Sequence, residues 1–313
     1  MKTEKTIAVF LLTFVSLLTN ISCSSFSLQC ANCYLSDAYQ DKKALELLRA
    51  VVNGDSQKIA KLVKEGASPN HLEEGKVPIL IWAICANSLD GFEALLIAGA
   101  DPNLGGTGYG KGNGEGFGNG MFKKRQGIRI AGSSSIKSGW SAMVFASAFQ
   151  NSDFLKLAIQ YGGELNSFKG DSGSFPLLVA SEYGQLENIK ILIKAGADIN
   201  AHDEKYNYLT APILSIGIFA RYDIAIWLLE NGYNYNLESL AYAAESRMVN
   251  KEIQPEKEKL IKMFEARGVK FPDPKGKIAG EVKRRKIPEE DIMDIVYGKK
   301  SVLDYPELKQ GNN

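Results

Sequence analysis

From about residue 44 to residue 271, two kinds of apolar segment alternate along the chain. The first is a compact block, usually opened by proline: Pro78-ILIWA, Ala142-MVFASAF, Pro176-LLVA and Pro212-ILSIG. The second follows a short turn and spreads its apolar residues through polar ones, as Ile189, Ile191, Leu192 and Ile193 do. Both are predicted helices. Proline suits the first position of a helix, where its missing N–H costs nothing and its fixed φ fits. Each pair ends in a glycine followed by a turn: Gly66-ASPN, Gly99-ADPN, Gly162-GELN, Gly196-ADIN, Gly232-YNYN and a degenerate Gly268-VKFP. A left-handed glycine caps a last helical turn, and Asp and Asn favour the turn that follows. These glycines lie 33, 63, 34, 36 and 36 residues apart. Such self-similarity predicts a stacked repeat array, and the long interval holds one repeat plus about thirty inserted residues.

The clearest unit, Phe175 to Asn200, reads FPLLVASEYGQLENIKILIKAGADIN. It resembles an ankyrin repeat: a TPLH-like opening, a first helix with Leu177, Val179 and Ala180 on its apolar side, a turn at Gly184, a second helix, then GADxN. The resemblance implies an all-α ankyrin-repeat solenoid of about six repeats, the first and last being degenerate caps. One departure is general: Leu80, Val144, Leu178 and Leu214 replace the TPLH histidine, which normally ties adjacent turns. Weaker linkage between turns is therefore expected. The expected organisation is a signal peptide at 1–22, a lipidated N-terminus and linker at 23–43, the array at 44–274 with a glycine-rich insertion at 104–139, and an extension at 275–313. A short helix is expected from Pro288, with Glu289, Glu290 and Asp291 favouring its N-terminus.

The N-terminus is distinct. Lys2 and Lys5 precede the apolar run Ile7 to Leu18, which is too short to span a bilayer and suits a secretory signal core. Ile21-Ser22-Cys23 resembles a bacterial lipoprotein cleavage box, although Asn20 departs from its usual leucine. The resemblance implies lipidation at Cys23, and Ser24 in place of aspartate implies the outer membrane. Ordinary cleavage near Ser25, giving a soluble secreted protein, is the competing reading. Of the remaining cysteines, Cys30 and Cys33 have the spacing of a redox or metal pair, but no second pair exists for a zinc site and they sit in a linker, so a local disulfide formed in an oxidising compartment is expected. Cys85 lies in an apolar helix, where a small hydrophobe is expected.

A net charge of +1 supplies no general attraction to nucleic acid. The basic run Lys283 to Lys286 is followed at once by acids and reads as a solvated face. GGTGYGKG nearly spells a phosphate loop, but Gly112 stands where a hydroxyl residue is needed, no apolar strand precedes it and no helix can follow it. Glycine occupies every even position from Gly106 to Gly120. The segment reads as an enlarged finger, either an extended hairpin or a mobile loop. His71 and His202 fall on separate hairpins, so neither a triad nor a shared ligand set is expected. No catalytic residue, cofactor or metal is expected, and a nucleotide-binding enzyme is the remote alternative.

Thirteen residues before three repeat glycines stand Phe149, Tyr183 and Phe219. In ankyrin repeats this place faces the concave surface, so the three are expected to form an aromatic ladder for a protein partner; packing onto a neighbouring helix is the competing reading. Glu182 and Ile218 share that edge. Phe168, Asp171, Tyr206 and Tyr208 on two hairpin tips are the second candidates. An exported, anchored ankyrin array resembles the ankyrin-type immunity lipoproteins paired with type VI secretion effectors, notably phospholipases. That resemblance implies a protein partner, a secreted toxin gripped and neutralised in the periplasm. A periplasmic scaffold or stress-protection protein with a resident partner is the alternative.

Overall fold

The computed structural model describes residues 28–30, 33–106, 139–167, 175–202 and 209–307. Among the described residues, fourteen α-helices pack as sequential pairs, consistent with an ankyrin-repeat array. The pairs are α1 (Lys42–Val52) with α2 (Ser56–Lys64), α3 (Ile79–Cys85) with α4 (Leu89–Ile97), and α5 (Ala142–Ala148) with α6 (Ser152–Gln160). There follow α7 (Pro176–Glu182) with α8 (Leu186–Ala195), α9 (Ala211–Phe219) with α10 (Tyr222–Glu230), and α11 (Leu237–Ser246) with α12 (Gln254–Glu265). Two more, α13 (Lys277–Arg285) and α14 (Glu289–Val296), form the extension, the latter starting just after Pro288 as its acidic first turn predicts.

The two textures of the sequence become two rows. First helices stack α1–α3–α5–α7–α9–α11, and second helices stack α2–α4–α6–α8 and α10–α12. A central first helix is enclosed by its neighbours and by the second row, so it is apolar all round: every residue of α5 is buried. A second helix has one face in solvent and buries a stripe only, such as Phe154, Leu155 and Ala158 on α6.

The six repeat glycines all take positive φ, from 86° at Gly268 to 104° at Gly232. The first four deliver an asparagine, four residues on, to the turn of the next repeat. Asn70 donates through Nδ2 to Gly99 O (2.9 Å) and accepts from Asp101 N (2.7 Å). Asn103 does the same to Gly162 O (2.9 Å) and Glu164 N (2.7 Å). Asn166 reaches Gly196 O (3.5 Å) and Asp198 N (2.8 Å), while Asn200 Oδ1 accepts from Asn234 N and Tyr235 N. Adjacent turns are thus linked without the missing histidine: one side-chain amide per repeat reads the backbone of the next.

The Asn103 link closes across the insertion. Gly105 and Ser141 form an antiparallel bridge, Gly139 N donates to Gly106 O (3.1 Å), and Met143 N donates to Pro102 O (2.9 Å). The neck is so narrow that a Cβ on Gly105 would lie 2.5 Å from Gly139 O. Most of the glycine run lies outside the described residues.

At the N-terminal end a two-stranded hairpin, β1 (Gln29–Cys30) and β2 (Cys33–Tyr34), sits against α3. The local Cys30–Cys33 disulfide expected from the sequence is not the one formed. Cys30 bonds Cys85 on α3, with Cα atoms 5.7 Å apart, and Cys33 is free. Cys85 is therefore a cross-link and not the small hydrophobe expected. The fold brings the fully buried Cys30 onto α3, a contact that spacing within the hairpin cannot reveal. Tyr39 donates its hydroxyl to Val77 O, and Glu73 accepts from Gln40 N, Asp41 N and His71 Nε2. Burial opposes the Glu73 charge, but hydrogen bonds from His71, Gln40 and Asp41 hold its carboxyl below the ordinary range.

The C-terminal extension closes the other end, with α13 against α11. Within the basic run, Arg285 is an internal anchor: it pairs with Glu281 (2.7 Å) and Glu307 (3.0 Å) and donates to Tyr305 O. Glu258 on α12 is gripped by Lys262, Lys299 and Gln254, which pull its pKa down to about 2. Beneath this surface lies Lys257, 2% exposed, donating to Glu245 O (2.8 Å) and Arg247 O (2.7 Å) at the end of α11. Glu245 is equally buried and accepts from Asp273 N (3.0 Å), tying the last repeat to the extension.

Two predictions follow from these links. Asn103→Ala removes a donor and an acceptor across the insertion and should lower stability by about 1–2 kcal/mol in denaturant unfolding; an unchanged midpoint would remove the amide chain as a structural link. Burial lowers the Lys257 pKa from 10.5 to about 8. Between those values the unfolded chain holds the proton that the folded one has lost, so stability rises with pH through this window. From pH 7.5 to pH 10 the wild type should gain on the order of 2 kcal/mol relative to Lys257→Met. Parallel pH profiles for the two proteins would contradict the burial of this charge.

Candidate partner-binding edge

First helices end where second helices of the next repeat begin, and polar side chains stitch this junction. Ser88, preceding α4, donates to Val51 O at the end of α1 (2.8 Å). Asn188 on α8 is buried and donates to Ser147 O (2.9 Å) and Phe149 O (2.8 Å) at the end of α5. Arg221, preceding α10, is clamped in two-pronged fashion by Asp223 and donates to Gly184 O (2.5 Å). Arg247 follows α11 and donates to Gly217 O and Ile218 O at the end of α9. These bonds satisfy helix C-terminal carbonyls that have no partner within their own helix.

The three residues aligned by the repeat glycines have different fates along this line. Phe149 is 4% exposed, so it is a core residue and not a rung of an exposed ladder. The cause is local. The residue capping α5 is Phe149 itself, in extended backbone (φ −84°, ψ 144°), which turns its ring inward against Phe154 on α6 at 5.5 Å, edge to face. Tyr183 stays near helical backbone (φ −95°, ψ 3°) and is half-buried, its ring meeting the buried Trp140 beside the neck of the insertion at 6.3 Å. Phe219 is the last residue of α9 and half-buried, with its ring against Gly184 of the preceding repeat. Glu182 is also half-buried, whereas Ile218 is 44% exposed.

Exposed apolar side chains also occur on and just after the neighbouring first helix, α11, at residues the repeat alignment misses. Tyr242 on α11 and Met248, just after it, are exposed, and Met248 is 66% open. Ser301 Oγ approaches Met248 Sδ at 3.9 Å, so the extension borders this edge. The last repeat escapes alignment because its second helix is longer, at 12 residues, and is separated from α11 by the segment 247–253. Counting thirteen back from Gly268 lands on Pro255, inside that helix. The edge is firmly built: Arg247 holds the Ile218 backbone, and the carbonyl of Arg247 is held by the buried Lys257.

A second recess lies on the opposite row. A groove of about 510 Å³ between α2 and α4 has Ala60, Val63, Ala94 and Ala98 among its lining residues, with Ile97 69% exposed beside them. The remaining candidates fall elsewhere. His71 is paired with Glu73 in its own loop, and His202 stacks on Tyr235 in the turn of the next repeat at 4.1 Å, so the two histidines serve separate places. Among the described residues no group of three or more His, Cys, Asp or Glu is placed to hold a metal ion, and no helix is long and apolar enough to cross a membrane. Cys23, Phe168, Asp171, Tyr206 and Tyr208 lie outside the described residues.

Comparison with known proteins agrees with this architecture. The family described as ankyrin repeats in three copies matches residues 123–203. Protein PhlB of Serratia liquefaciens is 28% identical over 162 residues, which is 51% of this chain and 56% of PhlB. The match thus spans little more than half the length of that relative. Ankyrin repeats are typically non-catalytic binding modules. Residues 123–203 thus match ankyrin repeats, and the helix pairs on either side are consistent with the same array.

Proposed function

We propose that this array is an extracytoplasmic, lipid-anchored immunity protein that binds an incoming antibacterial toxin of the phospholipase class and blocks its action. The observation that carries the binding surface is the edge formed by Ile218, Phe219, Tyr242 and Met248, next to Tyr183. Aromatic and large apolar side chains surrounded by polar ones are the usual anchors of protein interfaces. Their backbone is braced by Arg247 and Lys257, so little conformational freedom is lost on docking. A toxin that acts on phospholipid works at the membrane, and a binder tethered there through Cys23 meets it where it does harm.

The reading is tested with the product of a neighbouring gene that encodes a secreted lipase. The purified array should bind it, and Ile218→Asp combined with Phe219→Ala should weaken binding at least tenfold while leaving the helical signal and unfolding midpoint close to wild type. Equal affinity in the double variant would discard the edge, and absence of binding to any such neighbour would discard the immunity role. For the anchor, cells fed a labelled fatty acid should label the wild type and not Cys23→Ala. An unlabelled wild type would favour a soluble secreted form.

A further inference from the structure

The two alternative bonds of Cys30 are both within reach. In the structure Cys30 is bonded to Cys85, with Cα atoms 5.7 Å apart. In the hairpin its register partner is Cys33. Antiparallel partners lie about 4.5–5.5 Å apart at Cα, inside the roughly 4.4–6.8 Å range that a disulfide accepts. Cα spacing therefore allows Cys30 two partners, one bonded and one free. Cys30 and Cys33 also line one small gap of about 10 Å³, together with Lys76, Val77 and Trp82. The ammonium of Lys76 points at the Cys33 sulfur from 3.7 Å and is itself fixed by Asp37 O at 2.6 Å. It puts a positive charge beside the atom that must carry negative charge when it attacks.

We propose that Cys30, Cys33 and Cys85 form an intramolecular thiol–disulfide exchange site that alternates between a Cys30–Cys85 bond and a Cys30–Cys33 bond. The Cys33 sulfur gives up its proton to solvent and attacks Cys30 Sγ. The Cys30–Cys33 bond forms as the Cys30–Cys85 bond breaks, and the departing Cys85 sulfur takes a proton from solvent. One disulfide and one thiol are present before and after, so no oxidant or reductant is consumed. The consequence is mechanical. With the Cys30–Cys85 bond the N-terminal hairpin is covalently fastened to α3, at the second repeat. After exchange the bond lies within the hairpin, and the segment is held to the array by the Tyr39 and Glu73 hydrogen bonds and ordinary packing. The site thus sets whether tension on the N-terminal segment is transmitted directly to α3 or through the chain leading into α1.

The test uses the full chain with Cys23→Ser, which leaves three cysteines. It is incubated without reductant at mildly alkaline pH, acid-quenched at intervals, alkylated and digested with trypsin. Cys30 and Cys33 share a peptide that Cys85 does not, so the two bonds are distinguishable by mass. Alkylation should begin on Cys33 and come to be divided between Cys33 and Cys85, as a loop within the hairpin peptide replaces the cross-link. Cys33→Ser and Cys33→Ala should show no labelling of Cys85, and Lys76→Ala should slow its appearance severalfold. Cys85 unlabelled throughout in the parent protein, or labelled equally when Cys33 is replaced, would overturn the exchange. Cys85→Ser adds an independent check: in an oxidising glutathione buffer it should close the Cys30–Cys33 bond, and failure to do so would also overturn it.

Discussion

From the first repeat to the fifth, each turn is tied to the next by one side-chain amide that reads backbone. Asn70, Asn103 and Asn166 each donate to the glycine carbonyl and accept from the amide two residues beyond it, in the following repeat. Asparagine suits this task because one short side chain carries both donor and acceptor. Aspartate would lose the donor, and glutamine would add a carbon that the loop would have to absorb. The glycine four residues earlier is the precondition, since its left-handed backbone turns the chain out of the second helix and presents the asparagine to its neighbour. The rest of the array depends on this spacing. First helices as uniformly apolar as α3 and α5 are tenable only when neighbours cover them on both sides.

The same constraint explains how a long insertion is tolerated. The chain leaves after Asn103 and returns at Gly139, yet the Asn103 amide spans the gap to Gly162 and Glu164 as if the repeats were contiguous. The pinched neck at Gly105 and Gly139 isolates what lies beyond it from the register of the array. Loop length costs little in such an arrangement because closure entropy grows only slowly with length. Trp140 at that neck touches Tyr183 on the first-helix row, so the insertion and the candidate binding edge share a boundary.

Features set by local periodicity were legible in the sequence. The helix pairs, the proline starts, the glycine caps and the onset of α14 after Pro288 follow from spacing along a few residues. Features that depend on a second segment were not. The asparagines read as turn formers, because their partners lie about thirty or sixty residues away. Phe149 aligns with Tyr183 and Phe219, but extended backbone in place of helical backbone at that one residue sends its ring into the core. Cys30 and Cys33 read as a pair because spacing is visible and α3 packing is not. Tyr242 and Met248 were missed because the last repeat changes its helix length, which breaks the alignment that located Ile218 and Phe219.

Two surfaces are candidates for a protein partner: the braced edge at the C-terminal end of the first-helix row, and the groove between α2 and α4 on the opposite row. The edge has the firmer scaffold, since its backbone is tied by Arg247, Lys257 and Arg221 across three repeats. Amide hydrogen exchange of the array, alone and saturated with its protein partner, separates the two most directly. Docking on the edge predicts slowed exchange across residues 214–220 and 242–249 with the groove residues 56–64 and 89–98 unchanged. Protection confined to the groove, with the edge exchanging as in the free protein, would contradict it.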